Sequence, residues 1–441
     1  GIAASSQIRL AKELGMTVVV TDHHEVPFEE DENGERRYIL PPADAVVNPK
    51  QKDCSYPFPG LCGAAVAWKL IQTMEAKAGI PKEHSFRFLE FVAIATIGDV
   101  MDLQGENRIF VKAGLRALHK TQNLGLQELI RVQGIEAENV TPYHIGFVLG
   151  PCINASGRLD TAEHSLKLLC AKTREEAAKL AGDLKDLNES RKELTRQGEA
   201  KAIELVETSP LQNDKVLVVY LPDCHESLAG IIAGRLREHF HKPSFVLRYG
   251  CPVVLISVDE DGVGKGSGRS IEAYSMYEEL CKCKELMTKF GGHPMAAGLS
   301  LAGEEMIEPF RRALNDNSTL TEEDFVEKVV IDVPMPITYI TKNLIRQLSL
   351  LEPFGKGNTK PLFAQKGLTV LNYRIFGKNR NVVKVQLADA GGYQMDGVYF
   401  GEGEAFAAYV DAHPTLSVAY YPSIDTWNGR DKLQINIQSY F

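Results

Sequence analysis

The sequence predicts an α/β chain of two lobes followed by an all-β module, and three observations carry that reading. Short apolar runs alternate with helical stretches through roughly the first hundred residues, the pattern of a mostly parallel sheet. A long charged stretch over 173–207 then leads into a second strand–helix–strand unit and reads as a helix joining two lobes. In about the last hundred residues the apolar period changes from helical spacing to strict alternation, most simply that of a small barrel.

Residues 2–14 have a helical pattern ended by Gly15 as a left-handed cap, and Val18-Val19-Val20-Thr21 follows as a strand. That strand stops at Asp22-His23-His24. Ligands gather beyond the carboxyl ends of strands in parallel sheets, and one Asp with two His offers the hard oxygen and borderline nitrogen that suit Mn²⁺, Mg²⁺ or Zn²⁺. The same tripeptide also fits a polar turn whose histidines cap backbone groups, so two readings stand at this point. A polar loop with Asn33-Gly34 precedes a second short strand, Ala45-Val46-Val47, stopped by Pro49. Periodicity predicts helices over 63–74 and 86–96, the second running into Ile97-Gly98-Asp99, which puts Asp99 at a helix end facing a cleft.

The stretch 173–207 is helical, interrupted at Gly182 and Gly198. A strand over 215–221, a helix over 228–239 and a strand over 244–247 make the second unit, and acidic residues between 304 and 330 suggest a surface helix and a boundary. The alternating runs 382–387 and 433–438, with a hairpin turn at Asn428-Gly429, define the β module. Its basic and aromatic residues (Tyr373, Arg374, Phe376, Lys378, Arg380, Tyr393, Tyr399, Trp427, Arg430, Lys432) fit single-strand binding, or in part a barrel core.

With 441 residues, 44% hydrophobic and 24% charged, the chain can build two or three cored domains and is not disordered by composition. A net charge of −9 excludes a polycation, so nucleic acid would have to be met by local basic grooves. Eight cysteines without a CxxC pair read as reduced thiols of a cytoplasmic protein, not as a zinc site or disulfide frame. No stretch approaches the length of a membrane span.

Three glycine-rich segments complete the candidate chemistry. In 150–159 a tight loop ahead of a helix places Asn154 and Arg158 where amide and guanidinium can bond a nucleotide. In 264–270 glycine alternates with Lys265, Ser267, Arg269 and Ser270, letting N–H groups approach an anion near Gly268 while Arg269 caps it. In 290–298, Gly291-Gly292-His293 repeats the device with a histidine donor at a helix start. Each alone also fits an ordinary tight turn.

Taken in order, these motifs resemble the DHH phosphoesterase superfamily, and their sequence along the chain is similar to its bacterial single-strand exonuclease branch. The matching residues are Asp22-His23-His24, Ile97-Gly98-Asp99, the segment from Asn154 to Arg158, and His225 with the run 230–236. Gly266 to Ser270, Gly291-Gly292-His293 with Ala296-Ala297-Gly298, and Leu351-Glu352-Pro353-Phe354-Gly355 complete the set. The resemblance implies a DHH lobe over 1–170, a connecting helix over 171–208, a DHH-associated lobe over 209–325 and an OB-fold over 326–441. It implies 5′-to-3′ hydrolysis of single-stranded DNA to mononucleotides in recombination and repair with Mn²⁺ or Mg²⁺ at a two-metal site. It also implies a single-strand-binding protein and a helicase as partners. Asp22, His23, His24 and Asp99 would hold metal and act in catalysis. Asn154, Arg158, His225, Ser267, Gly268, Arg269, Ser270, Gly291, Gly292 and His293 would grip substrate.

The sequence departs from the family pattern in three places. An Asp-x-Asp-Gly strand and a further Asp before Gly-Ile are not found; the chain opens at Gly1-Ile2, so the expectation is an N-terminally incomplete, impaired enzyme. Cys152 stands where Arg is usual, and Ser227 where Gly is usual. Two other functions fit the same motifs: a phosphodiesterase acting on short oligonucleotides, and a non-catalytic single-strand binder or scaffold.

Overall fold

The computed structural model describes residues 1–30, 35–159, 161–248, 264–326, 328–377, 379–427 and 430–441. They form two compact units, one of residues 1–122, 135–150 and 329–441, the other of 123–134 and 151–328.

The first unit begins with the helix Ser5–Glu13, ended as expected at Gly15, whose φ of 81° is the left-handed conformation glycine adopts without steric cost. Strand β1 (Val19–Thr21) follows, then a hairpin of β2 (Phe28–Glu30) and β3 (Arg36–Tyr38) that the sequence reading lacked, then β4 (Ala45–Val47) parallel to β1. Asn33-Gly34 lies outside the described residues. Asp44 ties this step together: its carboxylate takes the Val18 N–H at 2.7 Å and the Lys12 ammonium at 2.7 Å, which holds its pKa below the ordinary value.

Three helices, Gly63–Lys77, Leu89–Gly98 and Gly105–Leu118, complete this part. The last two touch backbone to side chain, because a Cβ at Gly114 would lie 2.3 Å from the Leu89 carbonyl oxygen and 2.4 Å from Ala93 Cβ. Ala93, Leu103 and Val111 are buried between them.

In the second unit the helix Arg174–Glu207 runs unbroken for 34 residues, with the Thr173 hydroxyl accepting the Glu176 N–H at its start. Neither expected interruption occurs. Gly182 is a tolerated helical glycine in open space, and Gly198 is a notch, since a Cβ there would stand 2.5 Å from Ile232 Cδ1 of the helix Glu226–Phe240. Strands β5 (Leu217–Tyr220), β6 (Ser244–Arg248), β7 (Gly264–Arg269), β8 (Lys289–His293) and β9 (Ala296–Leu301) form one sheet in the order β5-β6-β7-β9-β8. Only β5 and β6 are parallel, as the helix crossover between them requires. Within the 304–330 stretch, the helix Ile307–Asn317 balances Glu308 and Asp316 with Arg311 and Arg312, buries Phe310 and Leu314, and holds Asp214 by a two-pronged Arg311 pair at 2.5 and 2.8 Å.

The C-terminal β module returns to the first unit. Strand β10 (Val333–Pro334) flanks β11 (Phe363–Phe376), β12 (Val382–Ala388), β13 (Gln394–Phe400), β14 (Leu416–Trp427) and β15 (Arg430–Tyr440). The order β10-β11-β12-β13-β15-β14, with β14 pairing back onto β11, closes the predicted barrel. Residues Asn428, Gly429 and Lys378 lie outside the described residues, as do the side chains of Trp427 and Arg430, but β14 and β15 pair as the hairpin expected there. Tyr373 and Tyr399, half-buried, pack against Phe406 of the helix Gly403–Ala412, whereas Phe376 and Tyr393 are exposed. Among the described residues no helix is long and apolar enough to cross a membrane.

Two glycines of the second unit predict opposite effects. Gly125→Ala places a Cβ 2.1 Å from the Leu168 carbonyl oxygen and should destabilise by about 1–3 kcal/mol. Gly182→Ala enters open space on a helix and should stabilise by about 0.5–1 kcal/mol. Urea midpoints of the two variants check both signs.

Candidate metal centre and anion cleft

Strand β1 buries Val20 and ends in Asp22, whose carboxylate, 7% exposed, terminates the ladder by accepting the N–H groups that would continue it. Asp22 Oδ1 takes the N–H of His23 at 2.7 Å, the N–H of His24 at 3.1 Å and lies 2.7 Å from His24 Nδ1, while Oδ2 takes the Ile2 N–H at 2.6 Å. Burial alone would push its pKa up. The hydrogen bonds from Ile2, His24 and His23 together outweigh burial and hold the carboxyl well below the usual carboxylate range. Asp22 is therefore an anion at neutral pH and well below it.

The turn is both of the things the sequence allowed: a polar strand end with capped backbone, and a cluster of donors. One ligand atom from each of Asp22, His23 and His24 lies within 4.8 Å of the others, the one such group among the described residues. His23 Nε2 is 3.4 Å from Asp99 Oδ2. Two atoms that share a cation at about 2.1 Å stand roughly 3 Å apart, so His23 and Asp99 are spaced as a ligand pair. Burial is the main reason the His23 pKa is lowered, against the opposing pull of Asp99, and the neutral imidazole it favours is the ligating form. The donor set of carboxylate oxygens and imidazole nitrogens thus fits a divalent cation such as Mn²⁺, Mg²⁺ or Zn²⁺. Among the described residues the ion-pair partner of Asp99 is His23, and the Asp99 side chain is 48% exposed.

The sequence did not reveal Val100. Immediately after Asp99 it adopts φ 53°, a left-handed conformation that a β-branched residue enters only under constraint. Nor did it reveal the single π-helical turn Ile145–Leu149, in which a Cβ added at Gly146 would lie 3.5 Å from Ile97 Cγ2 and beside which Tyr143 and Phe147 are exposed and stacked at 5.1 Å.

In the second unit three expected loops take other forms. The segment 150–159 is a helix, Gly150–Leu159, because Cys152, Ala155 and Ser156 bury one face of it. Asn154 is exposed on that helix, and the Arg158 side chain lies outside the described residues. Cys152 is fully buried and takes amide N–H groups from Gln133 at 3.2 Å and Asn188 at 3.3 Å, a core position rather than a phosphate contact. The segment 264–269 is strand β7, in which period-2 alternation sorts the residues by face. Gly266 and Gly268 meet large neighbours, with Cβ positions 2.2 Å from Leu247 and 2.6 Å from Phe245 and Met276. Lys265, Ser267 and Arg269 take the other face. The Gly291-Gly292-His293 segment is not a helix start but the end of β8 in a hairpin with β9, because the alternating burial of Ala297, Leu299 and Leu301 demands a strand.

Helix Glu226–Phe240 covers the polar face of β7. Gly230 makes this approach possible, since a Cβ there would be 2.8 Å from both Arg269 Nη2 and Ser267 Oγ. A cleft of about 560 Å³ opens beside it, lined by Glu226, Ser227, Arg248, Lys265, Ser267, Lys289 and Gly291 among others. Among the described residues three cations line this cleft against one carboxylate, with Lys265 paired to Glu226 at 3.2 Å, a set that suits an anion. Arg269 Nη1 donates to Ser267 Oγ at 3.2 Å and to the Gly268 carbonyl at 2.7 Å, which orients the hydroxyl lining the cleft. Arg248 and Lys289 were missed in the sequence because nothing glycine-rich marks a lysine or arginine at a strand end.

The remaining expected contacts lie elsewhere in this unit. Ser270 is buried with its hydroxyl donating to the Tyr274 carbonyl, and Gly268 faces the core, so neither reaches the cleft. Gly292 is needed for its backbone, a Cβ there standing 2.4 Å from the Ala296 carbonyl oxygen, and His293 is exposed at the hairpin end. His225 caps the helix, its Nδ1 2.8 Å from Ser227 Oγ, and lines a neighbouring cavity of about 280 Å³ with Asp223 and Cys224.

Models of three protein families match the chain in order: the DHH family N-terminal domain over residues 1–96, the DHHA1 domain over 213–318 and the RecJ OB domain over 331–439. The single-stranded-DNA-specific exonuclease RecJ of Bacillus subtilis is 35% identical over 441 residues, 99% of this chain and 52% of that protein. RecJ of Escherichia coli is 31% identical over 460 residues, 100% of this chain and 75% of that protein. The crystal structure of Thermus thermophilus RecJ with Mn²⁺ has a TM-score of 0.80 at 26% identity, covering 100% of this chain and 60% of that one. Its Mg²⁺ complex gives 0.75 at 27% identity, covering 90% and 58%. The chain therefore spans about half the length of the Bacillus subtilis relative. Three domains in one order, and identity above 30% across three quarters of the Escherichia coli protein, make this chain a member of the RecJ family of single-stranded-DNA-specific exonucleases.

Proposed function

We propose that the chain carries the metal-centre and substrate-handling parts of a 5′-to-3′ exonuclease that releases mononucleotides from single-stranded DNA in recombination and repair. The observation that carries this reading is the Asp22, His23 and His24 cluster with Asp99 at 3.4 Å from His23. In this reading residues 1–170 are the DHH lobe, 171–208 the connecting helix, 209–325 the DHH-associated lobe and 326–441 the OB-fold. A cytoplasmic setting, with a single-strand-binding protein and a helicase as partners, accompanies it.

Asp22, His23, His24 and Asp99 would hold Mn²⁺ or Mg²⁺, which when bound acidifies water and neutralises charge on a phosphoryl oxygen. Asp22 holds the turn rigid through four hydrogen-bonding contacts, so the two imidazoles need little reordering. Neutral His23 presents a lone pair rather than a proton. In the second unit Arg248 and Lys289 attract the strand's phosphates, and Ser267, oriented by Arg269, donates to one of them. Asn154, Arg158, His225 and His293 are proposed as further contacts to sugar and phosphate. The barrel, with Phe376 and Tyr393 exposed, offers faces on which bases can stack.

Asp22→Asn should lower kcat on a single-stranded oligonucleotide at least about 100-fold while leaving its Kd within about twofold, because ligands and their supports act on the metal and not on the strand. Steady-state hydrolysis with a parallel binding measurement checks it. Lys289→Ala should weaken binding equally for all sequences and flatten the plot of log K against log salt by about 0.7 for each phosphate left without its cation. Titrations at several salt concentrations read that slope. Equal cleavage of a dinucleotide and a long strand by the unmodified chain would instead favour a short-oligonucleotide phosphodiesterase.

A further inference from the structure

In the motif Leu351-Glu352-Pro353-Phe354-Gly355, ahead of the barrel, Phe354 packs edge-on against Tyr421 of the barrel core, but the core does not account for the exposed Leu351 and Glu352 or for Gly355. It belongs to a strap, 350–358, that lies against the residues immediately following Asp99. Within the first unit, Arg108 Nη2 lies within hydrogen-bonding distance of the carbonyls of Leu350, Leu351 and Glu352, at 3.0, 2.9 and 3.1 Å. The Leu103 N–H donates to the Lys356 carbonyl at 2.7 Å, and Gln104 Nε2 donates to that of Gly357 at 2.8 Å. Lys356 Nζ sits 3.1 Å from Asp102 Oδ1.

The strap is closed on itself. Gly355 and Asn358 exchange backbone hydrogen bonds at 2.9 and 3.1 Å, and Asn358 Nδ2 donates to the carbonyls of Leu351 and Pro353. Its glycines are shaped to the partner: a Cβ at Gly355 would lie 2.7 Å from Leu103 Cδ1, and one at Gly357, φ 72°, would lie 3.0 Å from Asp102 Cβ.

Asp99 and Leu103 are four residues apart, and between them Val100 is held at φ 53°. A strained β-branched residue persists only where the surrounding structure over-determines it. Upstream, the helix Leu89–Gly98 closes on Asp99 in a Schellman cap, Val100 N–H returning to the Ile97 carbonyl and Met101 N–H to the Thr96 carbonyl, both at 3.1 Å, which sets Val100 at the left-handed position on this side. Downstream, the strap's bonds to Leu103, Gln104 and Arg108 supply the opposing anchor. We infer that the strap is a positioning element for Asp99, with Arg108 as its bolt, so that the barrel module sets the metal centre's geometry as well as meeting DNA.

Releasing the strap lets Val100 leave the left-handed region and lets Asp99 drift from His23. The bolt's contacts all come from Arg108 Nη2, whose two N–H groups are shared among the three carbonyls, and a lysine ammonium on a more flexible stem holds that position less well. The metal half of this inference rests on the reading proposed above; the mechanical half does not.

The test uses the 441-residue chain and its Arg108→Ala and Arg108→Lys variants, with Lys356→Ala as a control that removes only an exposed ion pair. Three quantities are read: hydrogen–deuterium exchange of the Val100–Leu103 amides, Mn²⁺ affinity by calorimetry, and affinity for an oligothymidine strand without metal. Arg108→Ala should speed exchange there about tenfold or more and weaken Mn²⁺ binding about 10–100-fold, the range for lost support of a ligand, with strand affinity unchanged. Arg108→Lys should fall between, and Lys356→Ala should match the unmodified chain. Unchanged exchange at Val100–Leu103 overturns the inference, as does a loss of strand affinity with Mn²⁺ affinity intact, the result expected if the barrel only grips DNA. If the unmodified chain takes up no Mn²⁺, the metal reading fails and the exchange result alone decides the strap. If Arg108→Ala does not fold, Arg108→Lys is judged by the same criteria.

Discussion

The Asp22 carboxylate is the constraint on which the first unit's chemistry depends. It is a nearly buried anion, and burying a charge costs several kcal/mol unless hydrogen bonds compensate. Here the compensation comes from the backbone the site needs to hold still: the N–H groups of Ile2, His23 and His24 all turn towards it. Each hydrogen bond to a charged group contributes about 1.5–3 kcal/mol, and losing the acceptor leaves the donors unpaired. Because the folded-state pKa is depressed below the ordinary carboxylate value, this stabilisation is fully present above that ordinary value and is lost as pH falls through the folded one. The same bonds that end β1 thus hold both imidazoles in register, and Gly63 leaves space for the His23 ring, with a hypothetical Cβ at 3.4 Å.

The two units solve the handling of negative charge differently. The first uses a carboxylate to organise two imidazoles, one of them beside a second carboxylate, a set that a divalent cation would complete electrostatically. The second lines a cleft with Arg248, Lys265 and Lys289 on a sheet against which Gly230 lets the helix Glu226–Phe240 pack close. In β7 the glycines lie on the core side, and the alternation that puts them there also puts Lys265, Ser267 and Arg269 on one face. One strand therefore supplies both the close packing and the donor row.

What was legible in the sequence follows from which signals are local. The Gly15 cap, the Val18–Thr21 run, the hairpin of β14 and β15 and the charged 173–207 helix rest on neighbouring residues, and their elements form, the helix without its expected breaks. The Asp22 cluster was legible because its residues are adjacent. Glycine misled wherever its role was tertiary. Gly198, Gly266 and Gly268 look like breakers or loop residues, yet each makes room for a large side chain distant in the sequence, Ile232, Leu247 or Phe245. Ser270 and His293 belonged to a plausible motif, but the face each residue takes is decided by β7 and β8 pairing in a sheet assembled from distant segments. The bond from Leu103 to Lys356 joins residues more than two hundred positions apart, and only the resemblance flagged the strap motif at all.

The central claim is that the β1 exit is a histidine-containing metal centre, and pulsed electron paramagnetic resonance of Mn²⁺ bound to this chain tests it most directly. The account predicts nitrogen-14 modulation from imidazole coordination that weakens in His23→Gln, with Asp99→Asn reducing occupancy. A Mn²⁺ signal with only water and carboxylate coordination, unchanged by either substitution, would contradict it.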